Sequence, residues 1–176
     1  MTALSPPRRI RPTDWSALRE LRLDALAADP LAFGSTFERE SELPETHWRT
    51  RAETSASGAG ETIVLVEPVD GSFAGMVGAF SAGGAKVLWG MWVRPEHRHR
   101  GVGVALLEAV LGWCREAASH EPVRLDVNPS QSSAVRLYER HQFRFTGDER
   151  ALGHHAPART LGMEWVPPPR PPQGPG

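Results

Sequence analysis

A chain of 176 residues, 40% of them hydrophobic, is long enough to bury one core and short for two domains. Its formal charge of −1 supplies no global field toward nucleic acid or membrane, so any anion must be met by a local cluster. Cys114 is the one cysteine, which excludes an intramolecular disulfide; with no apolar leader segment and no run of 18 apolar residues, a cytoplasmic location is expected.

After a Pro-rich start, Arg9-Ile10-Arg11 reads as a short strand, and Thr13-Asp14 as the cap of a helix carrying Leu18, Leu21, Ala25 and Leu26 on one face, ended by Asp29-Pro30. Phe33 to Arg51 carries broken helical signals. Ser35 or Thr36 can cap one turn and Pro44 can open another through Trp48, which predicts a helical lid. Ser55 to Gly60 predicts a flexible loop. A meander of three strands comes next, Thr62–Val66, Phe73–Phe80 and Lys86–Val93, with turn chemistry at Val69–Ser72 and Ser81–Gly84. Leu106, Ala109, Val110, Trp113 and Ala117 then recur at helical spacing until His120-Glu121-Pro122. Val123, Leu125 and Val127 alternate with Arg124, Asp126 and Asn128, a strand that the intervening helix makes the parallel neighbour of Lys86–Val93. Ser133–His141 predicts a short helix, and Phe143–Phe145 and Arg159–Trp165 the last strands. Residues 1–166 thus form one domain, and the Pro- and Gly-rich residues 167–176 read as a disordered tail.

The densest chemistry lies where the third meander strand hands over to the long helix, in Val93-Arg94-Pro95-Glu96-His97-Arg98-His99-Arg100-Gly101-Val102-Gly103-Val104. Without a Cβ at Gly101 and Gly103, successive backbone N–H groups can converge on an anion at the positive end of the helix. A Walker-type loop needs Lys-Ser/Thr where Val104-Ala105 stand, and a dinucleotide fingerprint needs three glycines directly after the strand. Arg98-x-x-Gly101-x-Gly103, preceded by Val93-x-Pro95 and followed by Leu106-Leu107, resembles instead the acetyl-CoA pyrophosphate loop of the GNAT superfamily of N-acetyltransferases. Val127-Asn128-Pro129, Ala134-x-x-Leu137-Tyr138-Glu139 and Phe143 resemble that family's segment along the pantetheine arm. Ile10-Arg11-Pro12-x-Asp14 and Leu21-x-Leu23-x-Ala25-Leu26 are similar to its amino-terminal segment, so the likeness reaches nearly to Trp165.

The resemblance implies an α/β (α+β) fold: a single domain with a mixed, mostly antiparallel central sheet flanked by helices, and a V-shaped split between its two central parallel strands. It implies an N-acetyltransferase with acetyl-CoA as co-substrate and no metal, acting by direct attack in a ternary complex on a primary amine of a small molecule or a protein amino-terminus. Arg98, His99, Arg100, Gly101, Val102, Gly103 and Val104 would hold the pyrophosphate, and backbone groups of Met91 and Val93 the pantetheine and the thioester carbonyl. Asn128 and Ser133 would reach the arm from the other side, and Tyr138 would protonate the departing thiolate. Helical spacing from Ala134 and Val135 gives Tyr138 a purely structural reading as well.

Three positions depart from the family pattern: Gln131 where a capping asparagine is usual, Gln142 where glycine precedes the phenylalanine, and Val87–Trp92, which lacks a glutamate to act as general base. Glu38, Glu40, Glu42, Asp126 and a water stay open for that role. His97-x-His99 and His154-His155 have no further ligands at metal spacing. The partners implied are acetyl-CoA and an amine acceptor, with neither nucleic acid nor membrane, and a homodimer is left open. The missing base leaves a second reading, a non-catalytic acyl-CoA-binding sensor or regulatory domain.

Overall fold

The β-branched and aromatic run from residue 63 to residue 93 folds as the expected meander: β2 (Ile63–Val69), β3 (Ser72–Ala82) and β4 (Ala85–Val93), with β1 (Arg8–Arg9) added at the edge of β2. Gly83 and Gly84, at φ 57° and 72°, both take the left-handed backbone that a two-residue hairpin turn of this twist demands. The computed structural model describes residues 5–58, 63–69, 72–116, 121–155 and 157–166, with the backbone alone at 63–69 and 116. The expected tail at 167–176 lies outside them.

The chain crosses over through α4 (Val102–Glu116) into β5 (Val123–Val127), and the sheet is completed by β6 (Arg144–Ala151) and β7 (Arg159–Trp165) in the order β1-β2-β3-β4-β5-β7-β6. Among the described residues only β4 and β5 pair in parallel. The apolar stripe of α4 covers one face of the sheet: Leu106, Leu107 and Val110 are fully buried, each stabilising by about 1.5–3 kcal/mol, and α5 (Ser132–Arg140) joins them through Tyr138. On the other face α1 (Trp15–Ala28) and α3 (Glu45–Ser57), linked by the single turn α2 (Phe37–Ser41), bury Leu18, Leu21, Leu26 and Trp48 against Met76 and Trp92.

Two expectations need correction. Ser55–Ser57 is not loop but the last turn of α3, because Ser55 packs in fully buried and Gly58, at φ 67°, supplies the left-handed cap one turn later than expected. Phe143 precedes β6 and is a fully buried core residue, while β6 itself continues to Ala151. No described helix is long and apolar enough to cross a membrane.

Two irregularities interrupt the ladders on either side of β4. Met76 pairs with Trp92 but Gly78 pairs with Trp89, so Val77 stands opposite both Gly90 and Met91: a bulge, with Gly90 at φ 64° supplying the left-handed residue. The parallel ladder between β4 and β5 holds only at Lys86↔Val123 and Val87↔Arg124. Beyond it the two strands diverge, giving the V-shaped split.

Candidate functional site

The Arg94 N–H donates to the Ala74 carbonyl of β3 at 2.8 Å, so strand alternation turns the amide groups of Val93 and, past the bulge, Met91 away from β3 and into the split. Among the described residues no strand pairs with this edge. An unpaired strand edge inside a protein needs a partner. The Val93 carbonyl accepts from Arg98 Nε at 3.0 Å, which ties the loop to the strand end.

Past a 3₁₀ turn at Pro95–His97, His99 (φ 60°) and Gly101 (φ 82°) both enter the left-handed region, with Arg100 between them. Alternating handedness of this kind turns consecutive N–H groups into one concavity. For His99, a residue with a Cβ, that backbone costs roughly 1–2 kcal/mol, the kind of strain held at functional sites. The Ala105 N–H bonds back to the Gly101 carbonyl at 2.9 Å, and the N–H groups of Val102, Gly103 and Val104 are those a helix start leaves unpaired. A Cβ on Gly103 would meet Leu137, Met91 and Val93 at 3.5–3.8 Å, so the bare backbone here faces the split.

These parts enclose a cavity of about 700 Å³. Of the expected residues, Met91, Val93, Arg98, His99, Gly101, Gly103, Val104 and Ser133 are on its wall. The other four are not. Arg100 is exposed outside it, and Val102 is buried in the core of α4, so its N–H alone points the right way. Asn128 is buried and engaged within the fold: Nδ2 donates to the Leu31 carbonyl at 3.1 Å, and Oδ1 accepts from the Ser130 N–H and hydroxyl at 3.0 and 2.8 Å. It pins the chain after α1 to the end of β5. Tyr138 is 6% exposed, its ring 5.6 Å from that of Phe143, and burial pushes its phenol well above the ordinary value, so it stays protonated through neutral pH.

Other wall residues carry no local sequence signal. Arg136 and Arg140, four apart on α5, bring cations to the cavity from the side opposite the loop. Asp29, read only as a helix stop, accepts from Trp92 Nε1 at 2.7 Å and Arg98 Nη2 at 2.5 Å. Arg94, nominally part of the basic cluster, is instead held by Asp24 at 2.6 Å and Glu20 at 3.2 Å.

The open carboxylates fare poorly as bases. Glu40 is buried against Arg22 in a two-point ion pair, 2.9 and 2.7 Å. Burial alone would raise its pKa, but hydrogen bonds from Arg22 and Ser35, with the charges of Arg22 and Arg51, outweigh burial and hold it below the ordinary range. Asp126 pairs with Arg150 at 3.2 Å, and Glu38 and Glu42 are exposed. Of the departures, Gln131 makes no side-chain cap, and Gln142 sits at φ 69°, a left-handed backbone that glycine would take without strain.

A split sheet with an unpaired strand edge, and a Gly-containing helix start with arginines at its mouth, form an arrangement that could hold an extended ligand by a backbone-pairing arm and an anionic end. The sequence profile described as the acetyltransferase (GNAT) family matches residues 15–143, and the chain belongs to that family. No curated protein matches it by sequence. Among solved structures it is similar to a GNAT-family acetyltransferase from Streptococcus pneumoniae, with TM-score 0.79 at 20% identity over 93% of this chain and 99% of that one. It is also similar to YncA, a putative acetyltransferase from Salmonella typhimurium solved with acetyl-CoA (TM-score 0.75, 15% identity, 98% and 99% covered). A third is the ribosomal-protein-alanine N-acetyltransferase from Brucella melitensis (TM-score 0.74, 18% identity, 91% and 98% covered). At these identities the likeness is one of fold.

Proposed function

We propose that the protein transfers an acetyl group from acetyl-CoA to a primary amine by direct attack within a ternary complex. The observation that carries this reading is the pairing of two otherwise unused backbone sets on one cavity, the Met91 and Val93 amides in the split and the Val102–Val104 N–H groups at its mouth. The first set suits the amide-bearing pantetheine arm and the thioester carbonyl; the second, with Arg98, Arg136 and Arg140 nearby, suits the pyrophosphate. Tyr138, which burial keeps protonated, donates a proton to the departing thiolate, and its raised pKa works against the transfer. Ser133 contributes from the α5 side, and Asn128 acts by fixing the cavity wall. The amine's proton passes to water, since Glu40 and Asp126 are both held in ion pairs. Structures of similar fold hold coenzyme A, in PaiA N-acetyltransferase from Thermoplasma acidophilum, and acetyl-CoA, in YncA, which supports the choice of co-substrate.

The lack of a free carboxylate on the described cavity wall, where Asp29 is engaged by Trp92 and Arg98, favours one competing reading, a domain that binds acyl-CoA without turnover. Thiol release from acetyl-CoA, measured across a panel of primary amines, separates the two. Amine-dependent release supports transfer. Tight acetyl-CoA binding with no release above hydrolysis for any amine supports the sensor.

A further inference from the structure

A second cavity, of about 470 Å³, lies between α3 and the β3–β4 hairpin. It adjoins the first along one strand: Trp89 lines this cavity and Met91 the other, with the bulge residue Gly90 between them. Its α3 wall is polar. His47, Arg51 and Ser55, at i, i+4 and i+8, form one stripe, beside the buried apolar pair Trp48 and Ala52. Across from them stand Phe80 and Trp89, and the Arg51 guanidinium lies 4.0 Å above the Trp89 ring.

The polar groups here are underused. Ser55 is fully buried and its hydroxyl has no hydrogen-bond partner among the described residues. Arg51 makes no ion pair or hydrogen bond among them. Arg22 gives Nε and Nη2 to Glu40, but its buried Nη1 is unpartnered and sits 4.0 Å from where a Cβ on Gly90 would be. Two guanidinium groups thus meet one carboxylate, leaving one positive charge in surplus in a largely buried, aromatic setting. Burial and the charge of Arg22, opposed by Glu40, push Arg51 down to about 10. A surplus buried cation is costly when unpaired. One incoming negative charge would remove that cost, and a hydroxyl and unpaired N–H groups are at hand to bond it.

We propose that the α3 cavity is an anion site that holds a monocarboxylate on Arg51 and Ser55. Trp89 and Met91 leave opposite faces of β4, so this site is separate from the cavity in the split. A single surplus charge selects a monoanion over a phosphate ester. The site does not rest on the acetyl-transfer reading.

The test measures equilibrium binding of 3-phenylpropionate, 3-phenylpropionamide and phenyl phosphate to the parent protein, Arg51→Met and Ser55→Ala. Arg51→Met keeps the stem and leaves the Arg22–Glu40 pair intact, so the protein should fold. The parent should bind the acid at least roughly 30-fold more tightly than the amide, and more tightly than the phosphate ester. Arg51→Met should bring the acid-to-amide ratio below about fivefold, and Ser55→Ala should lower it. Equal affinity for acid and amide in the parent, or an unchanged ratio in a folded Arg51→Met protein, overturns the proposal.

Discussion

Replacing Gly103 by valine tests the cofactor loop without touching the core. Its Cβ would stand 3.5 Å from Leu137 Cδ2, 3.7 Å from Met91 Cε and 3.8 Å from Val93 Cγ2, all ordinary contacts, so its methyl groups extend into the split. Gly103 lies in the first turn of α4 at a helical φ, where valine and glycine differ by only a few tenths of a kcal/mol in helix propensity. The unliganded variant should therefore melt within about 2 °C of the parent. In the parent, acetyl-CoA at a hundredfold excess over its dissociation constant should stabilise by about 2.7 kcal/mol, a shift of roughly 5–11 °C for a chain of this size. If the added methyl groups weaken binding a hundredfold, the same concentration yields only about 0.4 kcal/mol, roughly 1–2 °C. Differential scanning fluorimetry with and without acetyl-CoA reads both numbers. A variant that melts normally and keeps the full shift would remove Gly103 from the binding site and the loop assignment with it.

Three other substitutions probe the same geometry. Tyr138→Phe keeps the ring against Phe143 and removes only the donor; the turnover number should fall by roughly 10²- to 10⁴-fold at unchanged acetyl-CoA affinity, and a rate within threefold of the parent would make Tyr138 structural. Glu40→Gln strands Arg22 and Arg51 without their shared anion and should cost about 3–5 kcal/mol in urea unfolding. Because the folded pKa of Glu40 is depressed, its stabilisation is present above the unfolded value near 4.3 and disappears as pH falls toward the folded one; a variant whose acid unfolding limb overlays the parent's would contradict this. Burial pushes the Cys114 thiol, 4% exposed, up to about 11, so stability should be full below pH 9 and decline by about 1–3 kcal/mol toward pH 11; Cys114→Ala should lack that part of the alkaline decline.

What could be read from the sequence was whatever a short window encodes. The strand periods of β4 and β5, the Gly83-Gly84 turn and the stripe of α4 are local patterns, and the glycines of the Arg98–Val104 loop mark a backbone requirement that no other residue meets as cheaply. The engagement of Arg94 by Glu20 and Asp24 was invisible because the partners lie 70 or more residues away. The same holds for Asp29, which looks like a helix stop until Trp92 and Arg98, 63 and 69 residues further on, meet it from the end of β4. Arg136 and Arg140 carried no signal, since nothing local says that their face of α5 closes a cavity. The end of α3 was misplaced because Ser-Ala-Ser-Gly is loop chemistry on its own, and only the burial of Ser55 keeps it wound.

The bulge at Gly90 acts as a phase shift. Before it, Leu88 faces α4 and Trp89 faces α3; after it, Met91 and Val93 face α4 and Trp92 faces α1, so two tryptophans three residues apart share a side that simple alternation would deny them. β4 is thus two strands spliced half a period out of step, and the splice lies at the boundary between the two cavities. Deleting Gly90 would leave Met91, Trp92 and Val93 on the sides they occupy, whereas drawing Gly90 into a regular ladder would exchange the sides of everything downstream, putting Trp92 toward the split and Met91 toward α1. Residue type at position 90 is therefore held more tightly than on either flank: the left-handed backbone at φ 64° keeps this one link out of the alternation, and a side chain that favoured extended backbone there would press the strand toward the exchanged register.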